Sequence, residues 1–245
     1  MSVSYNPKIV TDGLVLYLDA ANSRSYPGSG STWYDLSGNS RNASLFNGYA
    51  YSTDKSGIID FNTTDDTYAT IPHDSTISNE VFGTSVNFTL SAWFVIDTYI
   101  NYSCFIQKAT SGSYSNTTAG LWSEATNRLK FVMGSNEGSN PAGSNLQISY
   151  TATPGTWYNM VGVADGTNAK LYINGIQQGS SVNIASTITR TRSENTASIT
   201  IGRRSINNTP ECDGKIATIS VYNKGLTASQ VLQNYNAHKA RFFGV

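Results

Sequence analysis

Glutamate is scarce in this chain: 245 residues contain only Glu80, Glu124, Glu137, Glu194 and Glu211. Long helices are therefore not expected to dominate. Charge is also thin, at 13%, with 16 basic residues balancing 16 acidic ones. No long-range attraction to nucleic acid or to an anionic membrane follows from such a balance. The two histidines, His73 and His238, are too few for a zinc site built on His clusters, and a Ser-His-Asp triad would need one of them. Both read as solvated, His73 in a loop and His238 at a frayed helix end. Two cysteines cannot make a disulfide framework, so Cys104 and Cys212 default to free thiols. No run approaches the roughly 20 apolar residues of a membrane span. The opening MSVSYNPKIV lacks the apolar centre of a secretory signal, which favours cytoplasmic synthesis.

What the chain has in quantity is strand and turn material. Ser, Thr, Asn and Gly recur, and Tyr reaches 15, a mixture suited to β-structure with a hydrogen-bonding surface. The sharpest local signal is WYNMVGVADGTNAKLYINGIQ at 157–177. There Asp165-Gly166 joins two apolar strands and Asn174-Gly175 closes the second. Both dipeptides tolerate the positive φ that tight hairpin turns require. Alternation predicts a first strand over 14–18. Others fall near 57–62, 67–72, 88–96, 102–108, 119–124, 128–134, 146–151, 157–164, 169–174, 198–203 and 214–223. In 88–96, FTLSAWFVI, both faces are partly apolar, so this strand should be central. Trp93 and Trp157 fit the regular pattern and should lie in the core.

Residues 21–42 read as a long loop broken by Pro27, Gly28, Gly30 and Gly38, and loops of that length are usually functional or docked. Near the end, Thr227 and Gln230 make a capping box. The helix it opens carries Ala228, Val231, Leu232 and Tyr235 as a stripe that should dock on the sheets. One domain over 13–245, preceded by a polar arm over 1–12, accounts for the whole pattern.

The sequence W-Y-x-x-V, D-G and K-L-Y-I-N-G across 157–175 resembles the central hairpins of the concanavalin A-like lectin/glucanase superfamily, in its laminin G-like branch. FTLSAWFVI at 88–96, ITIGRR at 199–204 and DGKIATISVYNKGLTASQVLQNY at 213–235 follow the family order. GLVLYLDA at 13–20 and WYDLSGNSRNASLFNG at 33–48 extend the resemblance over nearly the whole chain. It implies an all-β fold: a jelly-roll β-sandwich of two antiparallel sheets with one short C-terminal helix. That fold hosts lectins, hydrolases, adhesion modules and structural proteins, so function has to be argued from individual residues.

Relatives that cleave β-glucans carry E-x-D-x-E on one strand, which sets two glutamates about 5–5.5 Å apart as acid/base and nucleophile. The nearest approach here is Glu211-Cys212-Asp213-Gly214-Lys215, where lysine replaces the second glutamate. A noncatalytic protein is therefore expected. Some relatives bind calcium through aspartates and loop carbonyls. By that resemblance Asp19, Asp35, Asn39 and Asp213 are calcium candidates, set against their ordinary use as turn caps. No other cofactor is expected. Extracellular laminin G-like modules often bridge to the late turn, which raises a Cys104–Cys212 disulfide as the alternative to free thiols. For glycans, the residues to test are the loop and strand aromatics Trp33, Tyr34, Tyr99, Tyr114 and Trp122, whose rings can stack on a sugar's C–H face.

PKIVTDGLVLYLDAANSRSYPGSGSTWYDLSG at 7–38 is similar to a form of this module found in virion proteins of tailed bacteriophages. The resemblance implies a noncatalytic virion structural protein, a decoration or accessory subunit on a capsid or tail. Its partners would be other virion proteins and, secondarily, surface glycans. It would be located in the virion after synthesis in the host cytoplasm, with homo-oligomers left open. A stand-alone carbohydrate-binding lectin or host-receptor adhesin is the alternative, and an extracellular adhesion module is the third reading.

Overall fold

The computed structural model describes residues 7–83, 85–100, 103–109, 117–134, 146–184, 196–204 and 212–244. Alternating apolar segments pair into two antiparallel sheets. The first holds β1 (Leu14–Asp19), β4 (Ala50–Ser52), β5 (Ile58–Phe61), β7 (Asn87–Thr98), β12 (Trp157–Asp165), β13 (Asn168–Ile173), β14 (Ile176–Asn183) and β16 (Asp213–Tyr222). The second holds β2 (Thr32–Trp33), β3 (Ala43–Phe46), β6 (Tyr68–Ile71), β8 (Ser103–Ala109), β9 (Thr117–Glu124), β10 (Arg128–Met133), β11 (Leu146–Thr151) and β15 (Ile199–Ile201). Strand order in the first sheet is β14-β13-β12-β7-β16-β5-β4, with β1 also on β16; in the second it is β11-β10-β9-β8-β15-β6-β3-β2. The chain thus forms the two-sheet sandwich that the resemblance implies.

The twelve-residue β7 lies centrally between β12 and β16. Its even face, Leu90, Ala92, Phe94 and Ile96, enters the core between the sheets. There the Phe94 and Phe105 rings stack 3.7 Å apart at 17°. The odd face carries Trp93 outward, beneath the C-terminal helix α2 (Ala228–Phe243).

Helix α2 starts where its capping box puts it. The Thr227 hydroxyl accepts from the Gln230 N–H, and the Gln230 side chain accepts from the Thr227 N–H. Its docking stripe departs from the expected one, because Ala228 is exposed and Leu232 is 46% exposed. The buried side runs instead through Val231, Tyr235, His238 and Phe242, the spacing that keeps one helix face on the sheet. Phe242 stacks on Trp93 at 4.1 Å and Tyr235 stacks on it at 5.6 Å. Trp93 is therefore core, and Trp157, partly buried, packs beside it.

His238 is enclosed rather than solvated. Its Nε2 lies 3.0 Å from the Tyr17 hydroxyl and its Nδ1 lies 3.1 Å from the Asn234 carbonyl. Burial pushes its imidazole below the ordinary value. The described part of the N-terminal arm is pinned to the same helix. The Val10 N–H donates to Asn234 at 2.7 Å, Gln233 donates to the Lys8 carbonyl at 2.7 Å, and the Val10 carbonyl accepts from Tyr222 at 3.0 Å.

Four strands lie outside the expected set: β2, β3, β4 and β14. The first three are two to four residues long and owe their extension to neighbours already in place. Strand β14, IQQGSSVN, has no apolar alternation and is largely exposed; pairing with β13 makes it a strand. Both cysteines are buried free thiols. Cys212 lies in the main core, whereas Cys104 packs with Trp122 and Val132 on the outer side of the second sheet. No helix among the described residues is long and apolar enough to cross a membrane.

Candidate functional site

Period-two alternation gives the second sheet an outer face as well as a core face. Register sets Thr32, Ser44, Thr70, Thr200, Gln107 and Gly120 in one row across β2, β3, β6, β15, β8 and β9. The far half of this row is closed: Thr200 and Gln107 are buried, and the Trp122 indole lies over Gly120 so tightly that a Cβ there would sit 2.4 Å from its Nε1. The near half is open at Ser44.

At that open end lies a cleft of about 480 Å³, bounded by Thr32, Asn39, Arg41, Asn42, Ser44, His73 and Asp74 among others. Its wall from 35 to 42 is tied down by one carboxylate. Asp35 accepts from the Tyr17 and Ser37 N–H groups at 2.9 Å each, from the Ser37 hydroxyl at 2.7 Å and from the Arg41 N–H at 3.1 Å. The Asp35 N–H in turn donates to Asn42 at 2.9 Å. A loop held this way arrives preformed, so a ligand need not order it.

Arg41 is 8% exposed. It donates to the Val15 carbonyl at 2.7 Å and reaches both oxygens of Asp74, at 3.1 and 3.4 Å. Asp74 also caps the short helix α1 (Ser75–Ile77), accepting from the Thr76 and Ile77 N–H groups at 2.8 and 3.1 Å. Burial opposes its ionisation, but the Arg41 hydrogen bond and the two backbone donors outweigh it and hold the carboxyl below its usual range. His73 completes the rim, with Nδ1 3.3 Å from the Ser78 hydroxyl and 3.4 Å from the Lys108 ammonium.

Because the folded value of Asp74 is depressed, its contribution to stability is present above the unfolded value of 3.8 and is lost as pH falls through the folded one. Urea midpoints measured from pH 6 down to pH 2 are expected to fall, and Asp74→Asn should flatten part of that slope. Equal slopes in both proteins would refute the assignment.

Chemically, the cleft offers amides, hydroxyls, the His73 imidazole and one neutralised ion pair. Among the described lining residues Asp74 is the only carboxylate, and it is held ionised. A retaining glycosidase needs a second carboxyl about 5–5.5 Å away, with one of the pair protonated. The lining supplies neither.

Three of the expected sugar-contact aromatics turn out to be core or near-core residues. Trp33 and Trp122 are 0% exposed and Tyr99 is 8% exposed. Trp33 fails as a loop contact because it is the inward residue of β2, and Trp122 fails because its face of the sheet is closed. Tyr34 is 44% exposed but lies outside the cleft lining, and Tyr114 falls outside the described residues.

The calcium candidates do not converge. Asp19 is taken up by the Ala21 N–H, Arg241 and the Tyr17 hydroxyl, at 3.0, 2.8 and 3.1 Å. The Asp35 oxygens are filled by the four donors above. Asn39 donates to the Val15 carbonyl at 3.2 Å, and Asp213 opens β16 in the neighbourhood of Lys215 and Asp60. Among the described residues no cluster of three or more His, Cys, Asp or Glu could hold a metal ion. Protein N–H and O–H donors already occupy the Asp19 and Asp35 oxygens that a hard cation would need, so this scattered set does not fit calcium.

No local pattern singles out Arg41, Asp74, Phe46 or Tyr68. The Asn47-Gly48 dipeptide after SLF is the available signal, since such a pair marks a turn between strands. Asn47 does take a φ of 64°.

Comparison with known proteins assigns most of the chain to a family. Residues 62–232 match Laminin_G_3, of the concanavalin A-like lectin/glucanases superfamily. No curated protein sequence matches significantly. Among solved structures, the binding domain of Paraclostridial Mosquitocidal Protein 1 aligns with a TM-score of 0.69 at 18% identity, covering 93% of this chain and 53% of that one. The binding domain of Botulinum neurotoxin DC, solved in complex with rat synaptotagmin II, gives 0.67 at 14% identity over 94% and 52%. Domain 4 of AbnA, a GH43 extracellular arabinanase from Geobacillus stearothermophilus, in complex with arabinotriose, gives 0.62 at 15% identity over 91% and 98%. The chain spans about half the length of the two toxin binding domains. At these identities the likeness is one of fold. The family match covers more than half of the sequence and spans strands β6 to β16 of the sandwich: this chain belongs to the Laminin_G_3 family of concanavalin A-like lectin/glucanase domains.

Proposed function

We propose that this chain is a noncatalytic glycan-binding module carried on the surface of a bacteriophage particle, as a capsid or tail decoration subunit. The observation that supports binding over catalysis is the preformed cleft beside Ser44, rich in amides and hydroxyls, whose single carboxylate is locked to Arg41. Hydroxyls and amides in a fixed wall suit a polyhydroxylated ligand, because each can donate or accept without carrying net charge. The arabinotriose complex of the arabinanase domain supports a saccharide on this fold, and the toxin domain's complex with synaptotagmin II supports a protein receptor as the second reading. The particle setting rests on the resemblance of residues 7–38 to phage virion modules.

Glycan-array binding tests the first part. Ser44 is exposed on the strand surface, so Ser44→Trp should fill the cleft without disturbing the core. Array signals are expected to fall at least about tenfold while the thermal midpoint stays in place. Wild-type signals in the variant would move binding elsewhere on the molecule. Mass spectrometry of purified particles tests the setting, and absence of the chain from them would remove the virion role.

A further inference from the structure

Beyond Ser44, the open row of the second sheet leads to aromatic side chains. Ser44 faces Thr70 across β3 and β6, and two residues further along the same strands Phe46 faces Tyr68. Strand geometry sets that step at about 6.6 Å. The Phe46 and Tyr68 rings stack at 4.9 Å and 13°. The Arg203 guanidinium carbon lies 4.4 Å from the Tyr68 ring centroid, and Arg203 also reaches Asp66 at 3.7 Å. Tyr68 is thereby clamped, and Phe46 ends the stack, 38% exposed.

An outward phenylalanine beside a polar cleft has no role in the core, since the core side of β3 is filled by Ala43 and Leu45. Its own orientation is nevertheless fixed by the stack behind it. A rigid, exposed ring of this kind presents a flat apolar surface at low ordering cost, which is what the C–H face of a sugar ring needs. Both arginines along the route are paired locally, Arg41 with Asp74 and Arg203 with Asp66, while the Lys108 ammonium donates to the Ala197 carbonyl. Neither cation bordering the route, Arg41 or Arg203, stands ready for a ligand carboxylate.

We propose that the cleft and the outer face of Phe46 are consecutive subsites for one neutral, linear oligosaccharide, with one ring held by the cleft and a following ring stacked on Phe46. The proposal rests on the glycan-binding reading above and adds to it a length of at least two rings for full affinity, a direction along β3 and a preference for uncharged sugars.

Isothermal titration with arabino-, cello-, malto- and manno-oligosaccharides of one to four residues tests it on the full chain. In at least one series, affinity should rise about tenfold from one ring to two or three, then level off. Phe46→Ala should remove that increment and leave the single-ring affinity unchanged. Phe46→Tyr should keep the increment, and both variants should retain the wild-type thermal midpoint. Raising salt from 50 to 500 mM should leave affinity unchanged, whereas an uronic acid oligomer bound more tightly, with strong salt dependence, would overturn the neutral assignment. Length-independent binding, or an unchanged increment in Phe46→Ala, would overturn the second subsite while leaving the lectin reading intact. Failure of every series at every length would overturn both.

Discussion

Replacing Phe242 with alanine is expected to destabilise the protein by about 3–5 kcal/mol, the usual cost of removing a buried phenylalanine. The residue is 4% exposed and closes an aromatic pile whose base is Trp93. Trp157 meets Phe242 at 4.8 Å, and Ile58 and Ala217 complete the cluster. Without the ring, Trp93 loses its nearest cover and α2 loses its last buried anchor. Three polar contacts from the loop before β5 would remain: Lys55 donates to the Phe242 carbonyl at 2.9 Å, and Arg241 donates to the Lys55 and Gly57 carbonyls. They involve main-chain atoms at partly exposed positions and cannot replace the apolar contact. Urea denaturation followed by tryptophan fluorescence should show a lower midpoint and a red-shifted native spectrum. A domain of this size loses roughly 2–4 °C of thermal midpoint per kcal/mol, so the loss should be plain in a melt. Phe242→Leu, which retains most of the volume, should fall between the two, and a wild-type midpoint in Phe242→Ala would contradict the docking described for α2.

The second large effect is expected from adding a single methyl group. Gly162, in the middle of β12, faces inward beneath the Phe131 ring of the opposite sheet. A Cβ at that position would lie 2.4 Å from Cδ2 and 2.5 Å from Cγ of Phe131. The ring cannot swing freely, since Phe88 meets it edge-on at 6.2 Å and the surrounding positions are filled core. Gly162→Ala therefore forces the sheets apart or the ring off its rotamer, and overpacking of this kind costs about 1–3 kcal/mol. The double change Gly162→Ala with Phe131→Leu should recover part of the loss, because the shorter side chain vacates the contested space. Denaturation midpoints of the two single variants and the double variant supply the cycle. Simple additivity of the two losses would show that the close approach is not what sets the cost.

How much of this was legible beforehand depends on the scale of the pattern. Strand β7 could be read because nine consecutive residues keep both faces apolar, and α2 could be read because a capping box and a turn bracket it. Strands β2 and β14 could not, because two residues have no period and IQQGSSVN has no apolar face; pairing with β3 and β13 creates them. The site suffered from the same ambiguity at the level of single residues. Leu45 and Phe46 are adjacent and both apolar, yet Leu45 is core and Phe46 is surface. Register alone decides which points inward, and a shift of one residue would exchange them. Trp33 looked like a loop residue among Ser, Thr and Asp, but its place on β2 turns it inward. Arg41 and Asp74 are 33 residues apart in sequence, and nothing local links them until β3 and β6 lie side by side.

Strand β16 changes flanking partners partway along its length. Gly214 to Ile216 pair with β5, and Thr218 to Tyr222 pair with β1, with a register irregularity where one neighbour gives way to the other. The earliest strand and the latest strand are thereby zipped together, and the segment before β1 lies against the helix after β16. Residues 8–10 and helix α2 thus share one side of the sandwich, while the cleft and Phe46 belong to the other sheet. A partner gripping residues 8–10 and α2 would hold the molecule from behind and leave the Ser44–Phe46 surface facing away from its mount.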